Sequence, residues 1–170
     1  MLSSEQTTIL KHMLLALVIT LCLVVLTLCF PFDWQLSRFE TFLLALILPT
    51  FSYIIGIGRI ASLRFFDENV SNPLVAANNL RLNAFKQYLS NTHEQLFLAL
   101  IVYSILSFTL PVQQLYLILL FSLCFGVGRI LFACGYTHGA SGRSLGFALT
   151  FYSNVLGFIL GVVLLIKAVI

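Results

Sequence analysis

The sequence predicts an all-α integral membrane protein: an antiparallel four-helix transmembrane bundle preceded by one additional N-terminal transmembrane helix. Three observations predict it. The 170 residues are 60% hydrophobic and only 9% charged, with a mean hydropathy of +1.04, whereas a soluble domain carries about 25% charged residues. Four long runs hold no charge: Met13–Phe32, Thr41–Gly58, Gln95–Gly128 and Ser144–Ile166. The third of these is broken near its middle by Leu110-Pro111-Val112-Gln113-Gln114.

A span needs roughly 20 apolar residues rising 1.5 Å each. The first run predicts a helix over 10–31. Its apolar stretch is longer than the core of a signal peptide, and the exit Cys29-Phe30-Pro31-Phe32-Asp33-Trp34 offers no Ala-x-Ala site, so it reads as a retained anchor. The second run predicts a helix over 40–63. As one helix the third would be about 51 Å long, beyond a bilayer core of about 30 Å. Proline breaks the helical ladder, and two glutamines are costly in lipid. A tight hairpin therefore splits this run into helices over 80–110 and 113–136, and the fourth run predicts a helix over 144–168. Residues 1–38 form an N-terminal extension carrying the extra span, and 39–170 form the four-helix domain. Trp34 and Tyr116 suit an interfacial aromatic belt.

Basic residues set the orientation. Arg59, Arg64, Arg81 and Lys86 surround the second connection, and Arg129 and Arg143 flank the fourth. At the opposite side Arg38 is balanced by Asp33 and Glu40. The positive-inside rule places the two basic connections, and any site there, in the cytoplasm. The host membrane would be an inner or plasma membrane in a bacterium and the endoplasmic reticulum in a eukaryote. The net charge of +3 is dispersed and points to no nucleic acid. Cys22, Cys29, Cys124 and Cys134 lack CxxC spacing, so they read as free thiols rather than metal ligands or a disulfide scaffold, and no metal is expected.

Polar residues gather near the basic side. Gln87, Asn91 and Glu94 follow spacings of four and three and share one helical face. Arg129, Phe132 and Tyr136 share another, and Thr137–Ser144 reads as a Gly-rich loop carrying Arg143 into the last helix. Plainer readings stand beside a functional one. Glu94 and Arg129 would make an interhelical ion pair, Tyr136 an interface aromatic, Arg143 a cytoplasmic anchor, and His93 and His138 interfacial side chains.

The run Arg129-Ile-Leu-Phe-Ala-Cys-Gly-Tyr136 with Arg143 resembles the MAPEG superfamily, the membrane-associated proteins of eicosanoid and glutathione metabolism. Arg129, Phe132, Gly135-Tyr136 and Arg143 fit the family spacings, and Asn91-Thr92-His93-Glu94 resembles its Asn-x-x-Glu. The resemblance covers roughly 42–168. It implies the four-helix MAPEG bundle, glutathione as co-substrate, a homotrimer with sites between subunits, and a transferase or peroxidase acting on lipophilic electrophiles that enter from membrane lipid. It also implies roles. Arg143 would stabilise the thiolate as the catalytic residue. Arg129 and Arg59 or Arg64 would pair with carboxylates, Glu94 with the ammonium, and Asn91 and Tyr136 with the peptide. Gln87 stands where the family commonly has Arg, and Phe132 where glutathione-using members often have Tyr. Both favour the alternative, a non-catalytic family member that binds a lipid or partner. A channel is disfavoured, because the charges sit at one face and not along a path through the midplane.

Overall fold

The computed structural model describes residues 3–71 and 79–170. Its elements are α1 (Ser4–Cys29), α2 (Arg38–Phe66), the short α3 (Glu68–Ser71), α4 (Leu80–Thr109), α5 (Tyr116–Gly135) and α6 (Gly139–Val169). Short 3₁₀ turns at Val112–Gln114 and Tyr136–His138 precede α5 and α6. The helices start where side chains satisfy orphan amides. Ser3 with Gln6 and Ser37 with Glu40 form capping boxes on α1 and α2, and the Asn79 side chain accepts from the Leu82 amide at 2.9 Å.

Proline closes α4 as expected. Leu110, immediately before Pro111, is extended with φ −69° and ψ 145°, the conformation a following proline imposes. This hairpin lies beside the α1–α2 connection: the Phe32 amide donates to the Gln113 carbonyl at 3.0 Å, and the Tyr116 hydroxyl donates to the Phe30 carbonyl at 2.7 Å. Arg38 donates to the Ser107 and Leu110 carbonyls, both at 2.7 Å, capping the last turn of α4 where the macrodipole is negative.

Helices α2, α4, α5 and α6 form the bundle, and α1 packs outside it, mainly on α6. Four helical stretches are long and apolar enough to cross a membrane: Ser4–Cys29, Arg38–Phe66, Val112–Gly135 and Gly139–Val169. Helix α4 is as long, but Arg81, Asn83, Lys86, Gln87, Asn91, His93 and Glu94 make its first half polar. It nevertheless runs from the basic end to the Pro111 hairpin, antiparallel to α5.

The bundle is apolar outside and partly polar within. Leu14, Val18, Phe51, Ile54, Phe97 and Phe158 are exposed, while Thr20, Thr27, Thr41, Ser52, Thr92, Ser107 and Ser153 are buried. Most of these hydroxyls donate to a carbonyl one turn back on their own helix, as Thr92 does to Tyr88 at 2.7 Å. Ser122 instead joins α5 to the Ala45 carbonyl of α2 at 2.5 Å. Lipid supplies no hydrophobic force between helices, so small residues and internal hydrogen bonds hold them. Gly157 and Gly161 face Val102, Phe121 and Ile105 of the same chain, which is packing within one bundle.

One boundary differs from the sequence reading. Residues 139–143, expected in a loop, open α6. Gly139 takes φ +76°, a conformation that costs glycine little. A Cβ on Gly135 would overlap the Gly142 carbonyl, and one on Gly146 would meet the Gly128 carbonyl at 2.5 Å. Glycines that look like loop residues are instead the contact that lets α5 and α6 close directly. Arg143 is therefore carried on a helix rather than on a flexible loop.

Candidate functional site

Arg129 is the largest fully buried side chain, 1% exposed. Its Nη1 donates to Asn91 Oδ1 at 2.6 Å. Its Nη2 donates to Thr150 Oγ1 at 2.6 Å and, more weakly, to the Gly146 carbonyl at 3.5 Å. The Phe125 and Phe132 rings flank the guanidinium at 5.7 and 4.9 Å, cation–π contacts that gain strength away from water. One arginine thus ties α4, α5 and α6 together. Among the described residues its Nε has no hydrogen-bond partner. The expected Glu94 pair does not form: Glu94 is exposed on α4, within 3.5 Å of the Ser90 hydroxyl. Helical periodicity put Asn91 and Glu94 on one broad face, and the rotation of α4 turns only Asn91 inward.

Beside this knot lies a groove of about 360 Å³ lined by Ile9, Gln87, Asn91, Phe132, Ala140, Arg143, Ser144 and Phe147. The Arg143 guanidinium stacks over the Tyr136 ring at 5.2 Å. Helix α1 supplies one wall through Ile9, and His12 Nδ1 is 2.7 Å from Ser144 Oγ and 3.2 Å from the Ser141 carbonyl. These bonds fix the turn of α6 that carries Arg143.

A second cavity of about 510 Å³ lies between α2, α4 and α5, with Arg59, Arg81, Phe85, Tyr88 and Tyr136 on its lining. Tyr88, Phe132 and Tyr136 form a wall between the two spaces, with ring centroids 6.2 and 6.1 Å apart.

The structure thus brings four sequence candidates, Gln87, Asn91, Phe132 and Arg143, into one groove. Arg129 sits behind Asn91, and Tyr136 lies on the dividing wall. Arg59 lines the other cavity. Arg64 and Glu94 are exposed and line neither. Sequence reasoning missed Ile9, His12, Ser144, Phe147, Arg81 and Tyr88. Arg81 alone carried a signal, as a cation at the basic end. The others are ordinary helix residues until the packing is known.

The groove can perform a limited chemistry. It offers one guanidinium, two amides and one hydroxyl next to two phenylalanines, a set suited to an anionic or peptide-like group beside an apolar one. Among the described residues no group of three or more His, Cys, Asp or Glu side chains is placed to hold a metal. No curated protein and no solved structure matches the chain. Residues 39–163 match the MAPEG family, and with the bundle of α2, α4, α5 and α6 inside that match, the chain belongs to the MAPEG family of membrane proteins.

Proposed function

We propose that this protein is a membrane-embedded glutathione-dependent transferase or peroxidase acting on lipophilic electrophiles, with the Arg143 groove as its site. The observation that carries the reading is Arg143 itself: a guanidinium held on a helix, braced by Tyr136, and lining a groove with Gln87, Asn91 and Ser144. A guanidinium keeps its charge across the working pH range. A free thiol has a pKa of about 8.5, and one adjacent cation lowers it by about 1–3 units. The thiol proton leaves to water, and the thiolate attacks the electrophilic carbon, forming a C–S bond as the leaving group departs. Asn91 and Gln87 would hold the peptide. Arg129 acts through Asn91 as a positioning residue, since its Nη1 and Nη2 are bonded inside the bundle and its side chain is buried. Phe132 and Phe147 offer the apolar side for the electrophile.

The fit to glutathione is partial in one chain. The described lining has no carboxylate for the ammonium. A homotrimer, which the family resemblance implies, would let an adjacent subunit complete the groove. Native mass spectrometry from mild detergent tests this: a clean monomer that retains glutathione binding contradicts a shared site. The site would face the cytoplasm, following the basic residues at that end.

A second reading is favoured by Gln87 and Phe132, which line the groove where the family's glutathione-using members tend to have arginine and tyrosine. On that reading the protein binds a lipid or partner without catalysis. Ultraviolet absorbance of the thiolate on glutathione addition separates the two: its appearance supports catalysis, and ligand binding without it supports the second reading.

A further inference from the structure

The cavity on the far side of the aromatic wall is a different kind of space. Arg59 comes from the last third of α2 and Arg81 from the first turn of α4, so two cations stand at the basic end of the bundle. Both are exposed, and the Arg59 guanidinium lies over the Phe85 ring at 5.2 Å. Among the described residues no carboxylate lines this cavity. The rest of the lining is mostly apolar, built by Leu63, Phe66, Ala84, Phe85 and Ala133, with the Ser62 hydroxyl as an extra donor. Leu63 and Phe66 lie about one and two turns nearer the basic end than Arg59, and Ala84 and Phe85 about one turn inside Arg81. At the adjoining ends of α2 and α4, Phe65, Phe66 and Leu80 are 83%, 81% and 85% exposed, apolar side chains suited to acyl chains and unsuited to water.

Two cations within an otherwise mostly apolar cleft at the basic end match an anion with a hydrocarbon tail. Basic pockets between transmembrane helices on the cytoplasmic side have this chemistry for acidic lipids, and arginine pairs with phosphate oxygens in a planar fork. We propose that this cavity is a binding site for an anionic phospholipid, its phosphate held by Arg59 and Arg81 and its first acyl segment lying along Ala84, Phe85 and Ala133. A soluble anion would use the two arginines and leave the apolar walls wet, whereas a phospholipid covers both. Arg143 and Asn91 lie in the other groove, and Arg59 here takes a phospholipid phosphate in place of the glutathione carboxylate that the family resemblance implies.

Native mass spectrometry of the full chain tests it, with phosphatidylglycerol and phosphatidylcholine of identical acyl chains as the probes. Wild type should retain phosphatidylglycerol in clear preference. Arg59→Gln/Arg81→Gln should lose about tenfold or more of that preference, while Lys86→Gln, an exposed cation at the same end but outside the cavity, should keep it. Ala133→Phe fills the cavity without altering charge and should also lose retention, which separates a pocket from a surface field. Circular dichroism checks that each variant is folded. Equal loss in Lys86→Gln, or full retention in Ala133→Phe, overturns the site. Displacement of the lipid by millimolar inorganic phosphate overturns the lipid assignment in favour of a free-anion site.

Discussion

Thr150→Val deletes one hydroxyl and keeps the shape of the side chain. In the native bundle that oxygen accepts from Arg129 Nη2 at 2.6 Å and itself donates to the Phe147 carbonyl at 2.9 Å. After substitution the Nη2 donor keeps only the Gly146 carbonyl at 3.5 Å, at the edge of a hydrogen bond. A bond to a charged group contributes about 1.5–3 kcal/mol, whereas neutral interhelical bonds in membranes average about 0.6 kcal/mol. Arg129 is 1% exposed, so water cannot replace the lost acceptor, and the higher range applies. Thr150→Val should therefore destabilise the bundle by about 2 kcal/mol, lowering Tm by about 4–8 °C for a chain of this size. Thr150→Ser keeps the hydroxyl and loses one methyl, about 1 kcal/mol. Reversible unfolding in mixed micelles measures both. A Thr150→Val variant as stable as wild type, or more stable than Thr150→Ser, would show that Arg129 does not depend on this oxygen.

Three further outcomes follow from the fold. Gly146→Ala should destabilise by about 1–3 kcal/mol, the scale of overpacking, because its methyl meets the Gly128 carbonyl and the Phe132 backbone; an unchanged melting profile would contradict the close approach of α5 and α6. Arg38→Gln should cost about 1–2 kcal/mol by uncapping α4, and a loss no larger than that of Gln35→Ala would remove the cap from the account. In a cysteine-free background, thiol labels at position 113 should react from one side of the membrane and labels at positions 81 and 141 from the other; reaction of all three from one side would sink the hairpin.

Uncharged runs and Pro111 made the five long helices legible, because lipid forces both length and composition on a span. The start of α6 was not legible. Gly135, Gly139 and Gly142 have a loop-like composition, and only the packed partner shows that they are a helix contact. Arg129, Asn91 and Phe132 could be placed on faces, yet the partner of Arg129 was misread. Spacing gives the width of a face, not the rotation of one helix against the next, and that rotation selects Asn91 and Thr150 over Glu94. Ile9 and His12 escaped notice for a similar reason: nothing in an anchor helix signals that its first turns wall a groove built by α4 and α6.

The central claim rests on Arg143 and its effect on a thiol. Thiolate absorbance of glutathione bound to purified protein, compared between wild type and Arg143→Ala at neutral pH, tests it most directly. The account predicts a clear thiolate signal in wild type, its loss in Arg143→Ala with folding intact, and only partial recovery in Arg143→Lys, whose ammonium lacks the planar fork. Affinity for glutathione should fall less than the signal, because Asn91 and Gln87 remain. An Arg143→Ala variant that still forms the thiolate and conjugates a lipophilic electrophile at the wild-type rate would contradict the account.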